Sequence, residues 1–389
     1  MGKIMVSSLQ PSTIEDYRAL ARKRLPRQLF EFVDGGSFAE ETLAANRSGF
    51  ASVRLRQRVL RGGGDIDLAT RVLGERWAMP VGLAPVGLAG LMRRRGEVQA
   101  LKAAQQAGVQ FCLSTAALCS IEEVKAASVS PFWFQLYVMR DRGFVTELIA
   151  RAKRAGCSAL VLTVDLAVGG LRHRDVQTGM TGGLSTLGNA RVALDYARRL
   201  GWLWDVALQG RPHLFGNLAA AIPDAKRLSD FYEFAAKNWC PSMDWDDVEW
   251  IRAQWDGPLV LKGILDPEDA ALAVKAGVQA IVVSNHGGRQ LDGVSSTIDA
   301  LPALVDTVEG RAEILLDGGV RNGIDVVRAV ALGARACLVG RPWALALAAS
   351  GEQGVARMLG TFKRELETVL ALSGLRSVDQ IDRTALAAS

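Results

Sequence analysis

The chain has 389 residues, nearly half of them apolar, a net charge of +5 and an isoelectric point near 9.0. That is enough to bury a sizeable core. The mild basic balance suits anionic substrates or lipid surfaces, and the absence of basic blocks interleaved with aromatics argues against nucleic acid. No apolar run reaches the roughly 18 residues of a membrane-spanning helix, the first residues lack the apolar core of a signal peptide, and the five scattered cysteines form no CxxC pair. A disulfide framework and a metal site are therefore not expected, and a reducing compartment is.

In chain order, apolar runs fall at 79–83, 109–113, 132–137, 159–164, 259–261, 280–283, 313–316 and 336–339. Amphipathic stretches at 96–107, 141–155, 267–276 and 324–332 alternate with them. Strands alternating with helices imply a parallel sheet, and eight such units predict a closed (β/α)8 barrel spanning 1–389 as a single α/β domain. A doubly wound open sheet is the alternative fold, disfavoured because no strand leads into GxGxxG. The beat is interrupted once, by an insertion at 177–241 between the fourth strand and its following helix. Inserts of this length are functional or disordered more often than not. Its middle, Tyr196-Ala197-Arg198-Arg199-Leu200-Gly201-Trp202-Leu203-Trp204, sets tryptophans beside arginines, which suits a membrane interface through Arg198, Arg199, Trp202 and Trp204. A lid over the barrel or a subunit contact is the competing reading.

Each strand ends in polar or glycine residues: Pro85-Val86-Gly87, Ser114, Gln135 and Tyr137, Thr163 and Asp165, Lys262, Ser284 and His286, Asp317-Gly318-Gly319-Val320-Arg321, and Gly340-Arg341. In a barrel these converge on the face that carries active sites. His286 is one of three histidines, the side chain whose unperturbed charge change falls nearest neutral pH, while Arg289, three residues on, can fork onto a carboxylate. The last two mouths pair glycine turns with Arg321 and Arg341 at helix starts, a pattern that binds phosphate.

From Tyr17 to about Ile381 the chain resembles the FMN-dependent L-2-hydroxy-acid dehydrogenases and oxidases. The resemblance is carried by Ser284-Asn285-His286-Gly287-Gly288-Arg289-Gln290-Leu291-Asp292, and also by Trp133-Phe134-Gln135-Leu136-Tyr137, Leu162-Thr163-Val164-Asp165, Leu261-Lys262-Gly263 and Leu316-Asp317-Gly318-Gly319-Val320-Arg321. It implies FMN as cofactor. Pro85, Val86, Gly87, Ser114, Gln135 and Thr163 would hold the polar edge of its ring, with Ser284 nearby. Lys262 would sit where negative charge grows on reduction. Gly319, Arg321, Gly340 and Arg341 would hold the phosphate, and Asp317 would be a further cofactor-binding residue. By the same resemblance Arg172 and Arg289 would grip the substrate carboxylate, His286 would take a proton, Asp165 would stabilise its imidazolium, and Tyr137 would bond the substrate hydroxyl.

One position departs from the family pattern. Where a tyrosine usually follows the Leu-Pro of the N-terminal helix by six residues, Leu25-Pro26 leads here to Phe32. The substrate side chain is expected near Phe32, Ala116, Val168 and Leu171. The small Ala116 and the stretch from Asp165 to Arg172 resemble mandelate dehydrogenases. Asp141-Arg142-Gly143-Phe144 and Gly210-Arg211-Pro212-His213 resemble bacterial L-lactate dehydrogenases. A bulky, aromatic acid is expected, with lactate close behind. Gly87 resembles dehydrogenases more than oxidases. The expected partners are therefore a small 2-hydroxy acid, a quinone or other acceptor, an anionic membrane surface on the cytoplasmic side, and further copies in a homotetramer; no haem domain is expected. A soluble oxidase or monooxygenase, or a flavin-free barrel that only binds an acid, are the competing functions.

Overall fold

Eight short strands in the computed structural model, which describes residues 10–61, 64–222, 234 and 237–387, run parallel around one axis. The signal-peptide reading of the first residues, and residues 223–233, 235 and 236 of the insertion, lie outside the described residues. After a hairpin of β1 (Thr70–Val72) and β2 (Glu75–Trp77) come β3 (Val81–Leu83), β4 (Cys112–Ser114), β5 (Trp133–Leu136), β6 (Ala159–Thr163), β7 (Leu259–Ile264), β8 (Ala280–Val283), β9 (Glu313–Asp317) and β10 (Ala336–Val339). The hydrogen-bonded order is β3-β10-β9-β8-β7-β6-β5-β4, and a parallel bridge between Leu83 and Phe111 joins the two ends. The sheet is a (β/α)8 barrel, and the open-sheet alternative falls.

The continuous apolar runs are explained by burial on both faces. Along β6, Ala159 and Val161 point inward with Val260, Val282, Leu315 and Leu338, while Leu160 and Leu162 pack outward against the helices. The hairpin was not foreseen. It plugs the bottom of the barrel, where Trp77 and Trp133 meet with ring centroids 5.5 Å apart. The opposite end is left to polar groups, and Ser114, Gln135, Thr163, Lys262 and Asp317 are buried there.

The insertion leaves after β6 and returns before the helix Trp245–Arg252. Charges and hydrogen bonds tie it to the barrel. Asp205 faces Arg24 at 2.8 Å, Arg93 at 3.2 Å and Arg94 at 3.5 Å, and the Tyr196 hydroxyl donates to Gln28 Oε1 at 2.7 Å. Its return runs antiparallel beside the chain after β5, with Arg140 N–H donating to the Asn238 carbonyl at 2.8 Å and Cys240 N–H to Val138 at 3.2 Å. One sequence expectation is corrected here. Trp202 is buried, and its indole N–H donates to the Leu91 carbonyl at 2.7 Å. Arg199 is likewise turned back onto the Lys23 carbonyl. Trp204 is 63% exposed, as are much of Leu187, Leu194, Leu200 and Leu208, and the helix Thr186–Ala197 has no buried residue.

Candidate active site

A cavity of about 600 Å³ opens at the C-terminal mouth of the barrel, within the ~300–1,000 Å³ typical of small-molecule sites. Of the predicted residues, Phe32, Pro85, Val86, Gly87, Ser114, Ala116, Tyr137, Thr163, Arg172, Lys262, His286, Arg289, Asp317, Gly319, Arg321, Gly340 and Arg341 line it. Asp165, Gln135 and Ser284 stand behind this lining. Val168 also reaches the cavity. Leu171 does not; it is half-exposed, and its carbonyl accepts from Phe38 N–H at 2.8 Å.

β8 ends at Val283, and the chain turns sharply through His286, Gly287 and Gly288, with φ of 57°, 67° and 72°. A histidine in the left-handed region is uncommon and needs support from its surroundings. Ser284 Oγ provides some by accepting from His286 N–H at 3.1 Å. Below the turn, Asn285 exchanges amide bonds of 2.8 Å with Asn46. Asp292 accepts from Thr42 N–H at 2.7 Å at the start of the helix Glu41–Ser52. His286 Nδ1 lies 2.9 Å from Asp165 Oδ1, which leaves Nε2 as the ring nitrogen available to the cavity. Burial works to raise the Asp165 carboxyl, but the imidazole of His286 and the ammonium of Lys262 outweigh it and hold the group below the ordinary carboxylate value.

Lys262 is fully enclosed. Its ammonium meets Asp317 Oδ2 at 2.9 Å and Ser284 Oγ at 3.0 Å. Burial alone would lower its pKa; Asp317 first and Asp165 second reverse that and raise it, so it is a fixed cation at any physiological pH. β7 carries a register shift between Lys262 and Ile264, and the intervening Gly263 has φ 114°. A Cβ there would stand 2.6 Å from the Asp165 Cβ, so glycine is what lets Asp165 and Lys262 share this corner. Tyr137 is pushed up to about 12 by burial and by Asp165, which keeps its hydroxyl a proton donor.

Two arginines mark the other end. Arg341 opens the helix Arg341–Ser373, directly after Gly340. It donates to the carbonyls of Val33 at 3.0 Å, Gly287 at 2.7 Å and Gly35 at 2.6 Å. Burial and the neighbouring Arg289 pull it well below its ordinary value. Burial, then Arg47, pull Arg321 down to about 10. Partly buried cations in this state, beside a helix N-terminus and the successive positive-φ residues Gly318 and Gly319, fit an anion such as the phosphate of FMN. At the ring end, Gln135 Nε2 and Asp317 Oδ1 are buried with no hydrogen-bond partner. Unsatisfied groups of this kind fit the polar edge of a flavin.

At the cavity's entrance, Arg289 Nη1 donates to the Phe32 and Gly35 carbonyls, and Arg172 Nε donates to Asp175 Oδ2 at 2.6 Å. Residues that the sequence reading passed over also line the cavity: Met92, Thr181, Phe215, Leu218, Trp239 and Pro241. Most come from the insertion, and Trp239 packs edge-on against Tyr137 with centroids 5.0 Å apart. Gln290 follows Arg289 in the same motif. It accepts from Gly170 N–H at 2.9 Å and donates to the Asp165 carbonyl at 2.7 Å, and so orders the loop that carries Asp165.

The chain is 52% identical over 376 residues to an L-lactate dehydrogenase of Caulobacter vibrioides, covering 97% of each protein. Among solved structures it is similar to a monotopic membrane (S)-mandelate dehydrogenase, with a TM-score of 0.92 at 32% identity over 98% of this chain and 100% of the other. It is also similar to a mandelate oxidase, with a TM-score of 0.81 at 37% identity over 97% and 98%. The family described as FMN-dependent dehydrogenase matches residues 21–388. The barrel, the His286–Asp165 pair at its mouth and these matches together place the chain in the FMN-dependent dehydrogenase family.

Proposed function

We propose that this enzyme oxidises an L-2-hydroxy acid of the lactate or mandelate class to the 2-oxo acid and passes the electrons to a quinone-type acceptor at a membrane surface. The observation that carries the reading is the His286–Asp165 pair at 2.9 Å, set in one cavity with Lys262, Arg172 and Arg289. Arg172 and Arg289 bind the carboxylate of the acid and fix which hydrogen faces the base. His286 takes a proton through Nε2, and Asp165, already held as an anion, stabilises the imidazolium that results. Tyr137 donates to the substrate oxygen. FMN, when bound, would supply the two-electron acceptor, and Lys262 would stand beside it as a preorganised positive charge. Ser114, Gln135 and Thr163 hold the ring edge, with Ser284 positioning Lys262, while Gly319, Arg321, Gly340 and Arg341 hold the phosphate.

Support for lactate comes from the 52% identical relative, named an L-lactate dehydrogenase. Room for an aryl group comes from the small Ala116 in the cavity wall, which Val168 also lines. Membrane attachment is supported by the exposed apolar residues of the insertion with Arg198 beside them, and by the likeness to a monotopic membrane enzyme. Among the described residues no helix is long and apolar enough to cross a membrane, and no cluster of side chains is suited to a metal. On this reading residues 1–389 act as one catalytic unit, with 177–241 as both lid and lipid contact.

The test is anaerobic mixing of the yellow holoenzyme with L-lactate, L-mandelate and longer L-2-hydroxy acids, following loss of flavin absorbance, beside co-sedimentation with anionic liposomes. Bleaching by L-lactate or L-mandelate and salt-sensitive sedimentation are expected. A protein that no acid bleaches is not this enzyme. One that bleaches, ignores liposomes and turns over fastest with oxygen is a soluble oxidase instead.

A further inference from the structure

Under the insertion lies a second cavity of about 670 Å³. Leu29, Leu91, Met180, Leu214, Tyr196 and Trp202 form its walls, with Arg211 and His213 also lining it. Its relation to the active-site cavity is unusual. Leu91, Met180 and Leu214 face the second cavity, while their chain neighbours Met92, Thr181 and Phe215 face the first. At three places, therefore, the two cavities lie on opposite sides of the same stretch of chain.

The lining has a definite chemistry. Tyr196 and Trp202 meet edge to face with centroids 5.1 Å apart. Their polar atoms are already engaged, Tyr196 OH with Gln28 and the Trp202 indole with the Leu91 carbonyl. The walls therefore offer mainly aromatic and aliphatic carbon; of the polar residues that line it, the Gln28 amide is taken up by Tyr196 and Thr178, and Arg211 Nε and His213 Nε2 bond the Ala207 and Val206 carbonyls. Nearby segments of the insertion carry the exposed Leu194, Leu200, Trp204 and Leu208, so a molecule dissolved in lipid would meet this region first.

We propose that this cavity is the electron-acceptor site and takes the ring of a benzoquinone, an inference that rests on the dehydrogenase reading above. The electrons balance. Oxidation of the hydroxy acid breaks one C–H and one O–H bond, forms the C=O bond and releases two electrons and two protons. A benzoquinone takes up two electrons and two protons to become the hydroquinone. Acid and quinone thus occupy separate chambers, and electrons cross the chain between them without the two molecules meeting.

The test uses the holoenzyme and a water-soluble dimethoxy-methyl-benzoquinone. Its binding to the oxidised enzyme is followed by calorimetry, and reoxidation of the substrate-reduced enzyme by stopped flow, with ferricyanide as an acceptor that needs no pocket. Met180→Trp fills the cavity, and Tyr196→Leu removes half of its aromatic wall. Both are expected to weaken quinone binding tenfold or more and to slow reoxidation by quinone to match, while bleaching by L-lactate or L-mandelate and reoxidation by ferricyanide stay within about twofold of wild type. Unchanged quinone binding in both variants overturns the proposal, as does equal slowing with quinone and ferricyanide. If Met180→Trp does not fold, Tyr196→Leu decides alone. If no hydroxy acid bleaches the wild type, the dehydrogenase reading fails, yet the calorimetric comparison still decides whether a quinone binds here.

Discussion

Arg289 holds Phe32 twice: its Nη1 donates to the Phe32 carbonyl at 2.6 Å, and its guanidinium carbon lies 4.9 Å from the Phe32 ring centroid. Arg172 approaches the same ring at 5.8 Å. The phenylalanine therefore packs against both proposed carboxylate-binding groups without offering the substrate a donor. Phe32→Tyr keeps the ring in place and adds a hydroxyl. A hydrogen bond to a charged group contributes about 1.5–3 kcal/mol, so the Kd for lactate, or for oxalate as an unreactive analogue, should fall about tenfold or more. Unaltered affinity on flavin-absorbance titration would show that position 32 does not face the carboxylate.

His286→Ala should retain flavin yet bleach with substrate several orders of magnitude more slowly. Asp165→Asn keeps a group near Nδ1 but loses the charge that stabilises the imidazolium, so a loss of roughly 10²–10⁴-fold is expected. Stopped-flow bleaching at near wild-type rates in either variant would remove that residue from the proton path.

The Lys262–Asp317 pair is almost completely buried. Lys262→Met strands Asp317 without a counter-charge and should cost about 3–5 kcal/mol in denaturant unfolding; Lys262→Met combined with Asp317→Leu should recover much of it. The pH dependence has a definite sign. The lysine is raised in the folded state, so its contribution is complete below the unfolded value of about 10.4 and is lost as pH rises beyond that through the folded value. Hence the gap between wild type and Lys262→Met should stay level from neutral pH to about pH 10. A gap that narrows between pH 7 and 9 contradicts the pairing.

Stripping FMN would leave Arg321 and Arg341 lining the cavity without the phosphate proposed to lie between them and the solvent. The apoprotein should melt at a lower temperature, and inorganic phosphate should restore part of the difference by mass action. Arg341→Met should abolish the phosphate effect. If phosphate stabilises the variant as much as the wild-type apoprotein, it binds elsewhere.

Ala116 lies against Gly87, where an added Cβ would stand 3.2 Å from its own Cβ. Ala116→Trp should remove activity on mandelate while sparing lactate. Equal loss on both acids would assign Ala116 a packing role.

The barrel was legible because its strands are buried on both faces and so are written as unbroken apolar runs. The mouth was legible because polar residues at a strand's end have no structural reason to recur eight times. The hairpin Thr70–Trp77 was not: Thr70-Arg71-Val72 and Glu75-Arg76-Trp77 are short and charged, and only packing beneath the barrel makes them strands. Trp202 and Trp204 differ by two positions, yet one is buried and the other exposed, a distinction set by the Leu91 carbonyl more than a hundred residues away in the chain. Trp239 reached the cavity by the same kind of long-range contact with Tyr137, which no local pattern announces.

The irregularity at Gly263 joins two properties usually considered apart. On the proposed assignments Lys262 sets how readily the flavin gains electrons, and Asp165 sets how tightly the base keeps a proton. One missing methyl group, at 263, fixes the spacing of that cation and that anion. On these assignments a substitution at 263 would press on the aspartate while displacing the residue next to the lysine, so that both functions would be disturbed together. A lineage that altered this glycine could not move along one axis without moving along the other, and independent adjustment would have to come from groups farther out, such as Asp317 for the lysine and Gln290 for the loop of the aspartate.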